Sequence, residues 1–137
     1  MKSFLQHKPK QLEYVGQRKK TDCGIACVAM LSFKTYDEVA EVFSLLAKNT
    51  RGGLYPEDVF EVLDELKCTS KGTHKLPSRG AALVTIQWKI GGLSGHYVVW
   101  DGKRGQFLDP KFGLINKRNM MKHAEIEGIW TVKNPQK

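Results

Sequence analysis

The hydrophobic pattern of this chain changes its period midway, and no other feature limits the possible folds as strongly. Thr35-Tyr-Asp-Glu38 has capping-box form, and Val39, Val42, Phe43 and Leu46 follow at helical spacing, with Asn49 to Gly53 as the stop. Pro56 suits the first turn of another helix, in which Val59, Val62, Leu63 and Leu66 form an apolar stripe opposite Glu57, Asp58 and Glu61, ending near Lys67 or Cys68. Ahead of both, Thr21-Asp22 can cap a helix that starts near Cys23. Its run Cys-Gly-Ile-Ala-Cys-Val-Ala-Met-Leu is small and apolar, so this helix is expected to be buried on most sides. From Ala81 onward the signal becomes that of strands. Ala81 to Trp88, His96 to Trp100, Gln106 to Leu108 and Ile129 to Val132 are short β-branched or aromatic runs, many bounded by glycine. Asp101-Gly-Lys-Arg-Gly105 makes a hairpin between the second and third, and Asn116 to His123 a short helix or turn. Helices followed by strands predict an α+β fold, an N-terminal helical half packed on a C-terminal antiparallel sheet, with a cleft between the halves as the natural place for a site.

A chain of 137 residues, 41% of them hydrophobic, can bury one ordinary core, so a single domain over 1–137 is expected, with a polar arm at about 1–14. The arm closes with a short extended piece at Leu12-Glu13-Tyr14-Val15. No apolar stretch approaches the roughly 20 residues of a membrane-spanning helix. The N-terminus has positive charge but no apolar core of a secretory signal, which makes a cytoplasmic location the expectation. Three cysteines are an odd count without paired zinc spacings, so neither a disulfide framework nor a structural metal is expected. The helical stripes read as core, and no cofactor is implied. The net charge of +8 is scattered, which suits a solvated surface and leaves an acidic protein partner or nucleic acid open.

Within this frame a few polar residues fall where they can do chemistry together. A catalytic thiol must be ionised near neutral pH, and a helix N-terminus with a nearby imidazolium favours that state. Cys23 stands at such a helix start, and Gly24 would leave room for a substrate carbonyl to approach the sulfur and the first-turn amides. Gln17, six residues earlier, can return its side-chain amide to the sulfur as an oxyanion donor. His96 opens a strand after the glycine-rich Gly91 to Gly95, whereas His7, His74 and His123 stand in polar or basic surroundings. Asp109, before Pro110, closes the strand that the hairpin pairs with that of His96. Its carboxylate can accept the Nδ1 proton and orient the ring toward the thiol. Asp101 is better explained as a hairpin residue. Trp88 and Trp100 are candidates for a peptide groove, although core packing is the commoner use of strand aromatics.

Three segments, Gln17-Arg-Lys-Lys-Thr-Asp-Cys-Gly-Ile-Ala-Cys-Val-Ala-Met, Gly95-His-Tyr-Val-Val-Trp and Phe107-Leu-Asp-Pro, stand in an order that resembles the bacteriocin-processing, double-glycine leader cysteine peptidase family. The resemblance covers about Val15 to Pro110. It implies a papain-like fold and a hydrolase, a thiol protease with Cys23 as nucleophile, His96 as base, Asp109 as orienter and Gln17 as oxyanion donor. The substrate is then a peptide or protein, cleaved through a Cys-linked thioester. Family members that process leaders are commonly joined to membrane-transporter domains, so a chain of this size without a span is expected to be a stand-alone relative. The same triad would serve a deamidase or transamidase, and the same scaffold a non-catalytic peptide- or nucleic-acid-binding module. A thiol that senses oxidation is a further class, for which Cys27 is a poor resolving partner because it shares a helix face with Cys23.

Overall fold

The computed structural model describes residues 11–46, 48, 54–91 and 95–134. Helix α1 (Cys23–Ser32) begins at the expected residue, and all ten of its residues are buried. Its sequence carries no charge, so it can be enclosed on every side without stranding one. Asp22 occupies the N-cap position without making a side-chain cap bond. Its carboxylate instead accepts hydrogen bonds from the backbone N–H groups of Arg18 and Lys19, each at 3.0 Å, and from the Tyr36 hydroxyl. Asp22 therefore braces the loop before the helix rather than capping its first turn, a correction to the sequence expectation.

Helix α2 (Tyr36–Leu45) carries the predicted capping box, with both the Thr35 and Glu38 bonds formed, and buries Val39 and Phe43. Helix α3 (Pro56–Glu65) starts on proline and buries Val59, Val62 and Leu63. It ends at Glu65 with Leu66 as C-cap, and Lys67, at a positive φ of 67°, reverses the chain so that the Cys68 N–H can reach the Leu63 carbonyl. The proposed stop between α2 and α3, Asn49 to Gly53, lies outside the described residues.

The strands are β1 (Thr69–Thr73), β2 (Ala81–Trp88), β3 (His96–Asp101), β4 (Gln106–Asp109), β5 (Gly113–Asn116) and β6 (Ala124–Lys133), with helix α4 (Lys117–His123) before the last. They form one six-stranded sheet in the order β1-β6-β2-β3-β4-β5, and every neighbouring pair is antiparallel. The inner strands are those the sequence predicts, and β6 starts five residues earlier than Ile129, at Ala124. The outer strands β1 and β5 are additions. β1 reads Thr-Ser-Lys-Gly-Thr and is largely exposed, and β5 has no consistently apolar face, so neither carries the signal of a half-buried strand.

Alternate residues of the inner strands serve two layers. Ala81, Leu83, Tyr97, Val99 and Leu108 pack with α1, α2 and α3, while Ala82, Val84, Ile86, Val98 and Phe107 pack with Met120 of α4. The sheet is thus covered on both faces, which explains why β2 reads as an almost continuous apolar run. The expected extended piece at Leu12 to Val15 forms no strand. Leu12 is buried in the helical layer, and the Tyr14 hydroxyl donates to the backbone carbonyls of Asp109 at 2.7 Å and Pro110 at 2.8 Å. This end of the arm is pinned to the tip of β4.

Candidate active site

Helix α1 packs on β3, which brings the start of the helix and the start of the strand into one region. Cys23 is the first residue of α1 and is buried. His96 is the first residue of β3, entered through Gly95 at a φ of 80° that favours glycine. The β3–β4 ladder pairs Val99 with Leu108, so one further step sets Asp109 opposite Val98. His96, two residues along, is then a diagonal neighbour of Asp109 on the same face, within reach of a long side chain. The observed result is a bond of 2.8 Å between His96 Nε2 and Asp109 Oδ1.

That bond corrects the expected polarity of the ring. The carboxylate holds Nε2, not Nδ1, which leaves Nδ1 as the nitrogen available to the thiol. Burial works to lower the His96 pKa, but hydrogen bonds to Asp109 and Cys23, together with the negative charge of these partners, outweigh it and lift the value to about 9. The imidazolium is therefore the prevailing form at neutral pH. Asp109 is fully buried, and its Oδ1 also accepts the backbone N–H groups of Lys111 at 2.9 Å and Phe112 at 3.4 Å. One carboxylate oxygen thus organises the turn after β4 and the imidazole together.

Gln17 lies close to this pair by its backbone, whose N–H donates to the Pro110 carbonyl at 2.9 Å. Its side-chain Nε2 bonds the Lys19 carbonyl at 2.7 Å, with a longer contact of 3.4 Å to that of Lys20. Among the described residues, the buried side-chain oxygens without a hydrogen-bond partner are Gln17 Oε1 and Asp109 Oδ2. Both belong to the predicted constellation. The loop that carries Gln17 is braced by Asp22, whose partner Tyr36 has its pKa raised to about 12 by burial and by the bond and charge of that carboxylate. Arg18 closes the brace, lying 4.1 Å over the Tyr36 ring and pairing with Asp37 at 2.7 Å.

The space over Gly24 is not open as expected. A Cβ there would come within 2.6 Å of Leu54 Cδ1, and the Leu54 carbonyl is held by the Tyr97 hydroxyl at 2.8 Å. Leu54 covers the helix start with the flexible end of a side chain, which can yield to a ligand. Burial, followed by the charges of Cys23 and Cys27, raises the Tyr97 pKa, so the hydroxyl keeps its proton as a donor.

Three residues at the site were not read from the sequence in these roles. Trp88 stacks near His96 with ring centroids 5.7 Å apart and an interplanar angle of 34°. Its place follows from register, since Ile86 pairs with His96 and Trp88 lies two residues further on the same face. Tyr14 and Tyr97 gave no such signal. Trp100 is a core residue whose Nε1 donates to the Pro77 carbonyl at 2.7 Å. Asp101 accepts from the Arg104 N–H at 3.2 Å and is a hairpin residue, as expected. His74 and His123 are exposed, and His7 lies outside the described residues. Burial raises the pKa of both other thiols, that of Cys27 most strongly, and the charges of Cys23 and Asp109 raise Cys27 further. All three cysteines are free. Among the described residues, no group of three or more His, Cys, Asp or Glu side chains is arranged to hold a metal ion, and no helix is long and apolar enough to cross a membrane.

The family model described as Peptidase C39 family matches residues 11–133, which span every element of the fold. No curated protein and no solved structure matches the chain.

Proposed function

This chain belongs to the Peptidase C39 family, cysteine peptidases of papain-like fold, and we propose that it cleaves a peptide bond through a thioester on Cys23, with His96 and Asp109 completing a triad. The observation that carries the reading is the 2.8 Å bond between the His96 imidazole and the buried Asp109 carboxylate, on the strand that packs against the helix opening with Cys23.

The sulfur of Cys23, its proton held on His96, attacks the scissile carbonyl carbon. The oxyanion that forms lies against the first-turn amides of α1, which have no intrahelical acceptors. Gln17 serves as a further donor only once its Nε2 turns from the Lys19 and Lys20 carbonyls that it bonds here. The tetrahedral intermediate collapses as the C–N bond breaks, and the imidazolium gives its proton to the departing amine. Water then attacks the thioester as His96 takes a proton from it, the C–S bond breaks, and the acid product leaves with the Cys23 sulfur restored as a thiolate beside the imidazolium. Asp109 keeps Nε2 occupied throughout, so that Nδ1 is the nitrogen that exchanges protons. Leu54 must swing off Gly24 for the carbonyl to reach the helix start.

Within the peptidase class we assign the double-glycine leader type, supported by the order and spacing of the Gln17 to Met30, Gly95 to Trp100 and Phe107 to Pro110 segments. A peptide-like electrophile ending in Gly-Gly tests both levels. Intact mass and peptide mapping should show one adduct, on Cys23, formed faster than on Cys27 or Cys68 and blocked by a Gly-Gly leader peptide. Equal modification of the three cysteines under native conditions would overturn the peptidase reading. A Cys23 adduct formed equally well by electrophiles without Gly-Gly would remove only the leader specificity.

A further inference from the structure

Next to His96 is a cavity of about 340 Å³ lined by Trp88, Ile90, Lys111, Phe112 and His123. Neither His96 nor Asp109 lines it, and it is linked to them through Trp88, Lys111 and Phe112. Trp88 stacks near His96, Phe112 meets Trp88 edge-on at 5.6 Å, and the Lys111 and Phe112 amides hold Asp109. No residue of α1 is among those that line it. Its apolar wall is costly in water, for Ile90 is 90% and Phe112 59% exposed, and Lys111 sets its ammonium 5.2 Å from the Phe112 ring.

The direction of the chemistry says which part of a substrate comes here. In thiol-mediated cleavage the acyl half stays on the sulfur, while the amine half takes its proton from the imidazole and leaves on that side. Resting on the peptidase reading above, we propose that this cavity receives the leaving half of the substrate and selects an apolar residue directly after the scissile bond, with an acidic group beyond it met by Lys111. Trp88, Ile90 and Phe112 supply the apolar contact, and the cation on the same wall supplies the sign of the charge. Selectivity is thereby placed on the side of the bond that is released, apart from whatever recognises the acyl half.

The acyl-enzyme can be made without the natural substrate and then asked which amine it accepts. N-acetylglycine p-nitrophenyl ester should load Cys23 with a burst of p-nitrophenol, and by microscopic reversibility an added amine attacks from the leaving-group site. Phenylalaninamide and leucinamide should capture the acyl group at least about tenfold better than glycinamide, the scale expected for filling an apolar pocket. Phe112→Ala and Ile90→Ala should erase that advantage, read as the ratio of capture between amines so that any change in the burst itself cancels. Lys111→Glu should reverse a preference for Leu-Asp over Leu-Lys as acceptor. Equal capture of all three amides by a loaded wild-type enzyme, or an advantage that survives both apolar substitutions, would overturn the subsite and leave the peptidase intact. A missing burst, or one that persists in Cys23→Ala, would overturn the peptidase reading itself and the subsite with it.

Discussion

His96 and Asp109 sit on paired strands, whereas Gln17 sits on a loop, and the two arrangements are held in place by different physics. The strand pair inherits its geometry from a ladder. Once Val99 lies opposite Leu108, the diagonal contact between His96 and Asp109 follows, and Asp109 is sealed from water. Gln17 has no ladder. Its backbone is tied to the Pro110 carbonyl, its loop is braced by Asp22 and Tyr36, and its amide leaves a buried oxygen unpartnered. An orphaned buried acceptor costs about 1–3 kcal/mol, so the loop holds Gln17 at some expense to stability. A sheet can bring an imidazole and a carboxylate together by register alone, while a side chain on a loop needs a polar network of its own to hold it.

The largest effects should come from the groups that exchange protons and bonds. Cys23→Ala and His96→Ala should each abolish turnover while leaving the circular dichroism spectrum unchanged, because the first removes a single sulfur atom and His96 lies outside the hydrophobic core clusters. Turnover retained in either variant would break the strand side of the comparison outright. Gln17→Ala tests the loop side. It should lower kcat by on the order of 10²–10³ with little change in KM if the amide is a full oxyanion donor, and an unchanged kcat would return Gln17 to a purely structural place in its loop.

Asp109→Asn should cost less in rate, between about 10-fold and 10²-fold, since an amide can still orient the ring. Its sharper signature is in titration. Without the carboxylate, the His96 pKa should fall from about 9 toward its ordinary 6.5, read by NMR of the ring protons. The sign for stability follows from the raised value. The contribution of His96 is fully present below the unfolded pKa of 6.5 and is lost as pH rises through 9. Wild type should therefore lose stability to urea across that window, and Asp109→Asn should show a flatter profile. Superimposable profiles, with undiminished turnover, would leave Asp109 as a turn residue only.

The same contrast governs how much could be read from the residues beforehand. The inner strands and helices α1 to α3 are legible through apolar periodicity, and the hairpin between the strands of His96 and Asp109 pointed to the bond those two residues make. β1 and β5 were invisible because an edge strand such as Thr69 to Thr73 is defined by its partner β6, not by its own side chains. The ring nitrogen that meets Asp109 depends on the angle at which a side chain leaves the strand, which spacing does not encode. The Asp22 brace looked like a helix cap because Asp before a helix is usually one. In both cases local preference was overridden by partners distant in sequence or by the loop's own amides.

Tyr14→Phe probes where the two modes of support meet, and should have the smallest effect. The Tyr14 hydroxyl bonds the carbonyls of Asp109 and Pro110, and Pro110 in turn receives the Gln17 N–H, so one hydroxyl ties the arm to the strand end and to the loop. Burial, and then the charge of Asp109, raise the Tyr14 pKa, which keeps the hydroxyl a donor across the working range of the His96 imidazole. Removing the hydroxyl should cost about 1–3 kcal/mol in urea unfolding, because Asp109 and Pro110 are buried and water cannot readily replace the donor their carbonyls lose. If Tyr14 does no more than fasten the arm, kcat should stay at the wild-type level. If it holds the strand end and the Gln17 loop in register, kcat should fall severalfold while the His96 titration stays in place, since the Asp109 carboxylate is untouched. Combining Tyr14→Phe with Gln17→Ala separates the two. Additive losses in kcat would assign Tyr14 to the strand side, and a double variant no slower than Gln17→Ala would show that its bonds act through the loop.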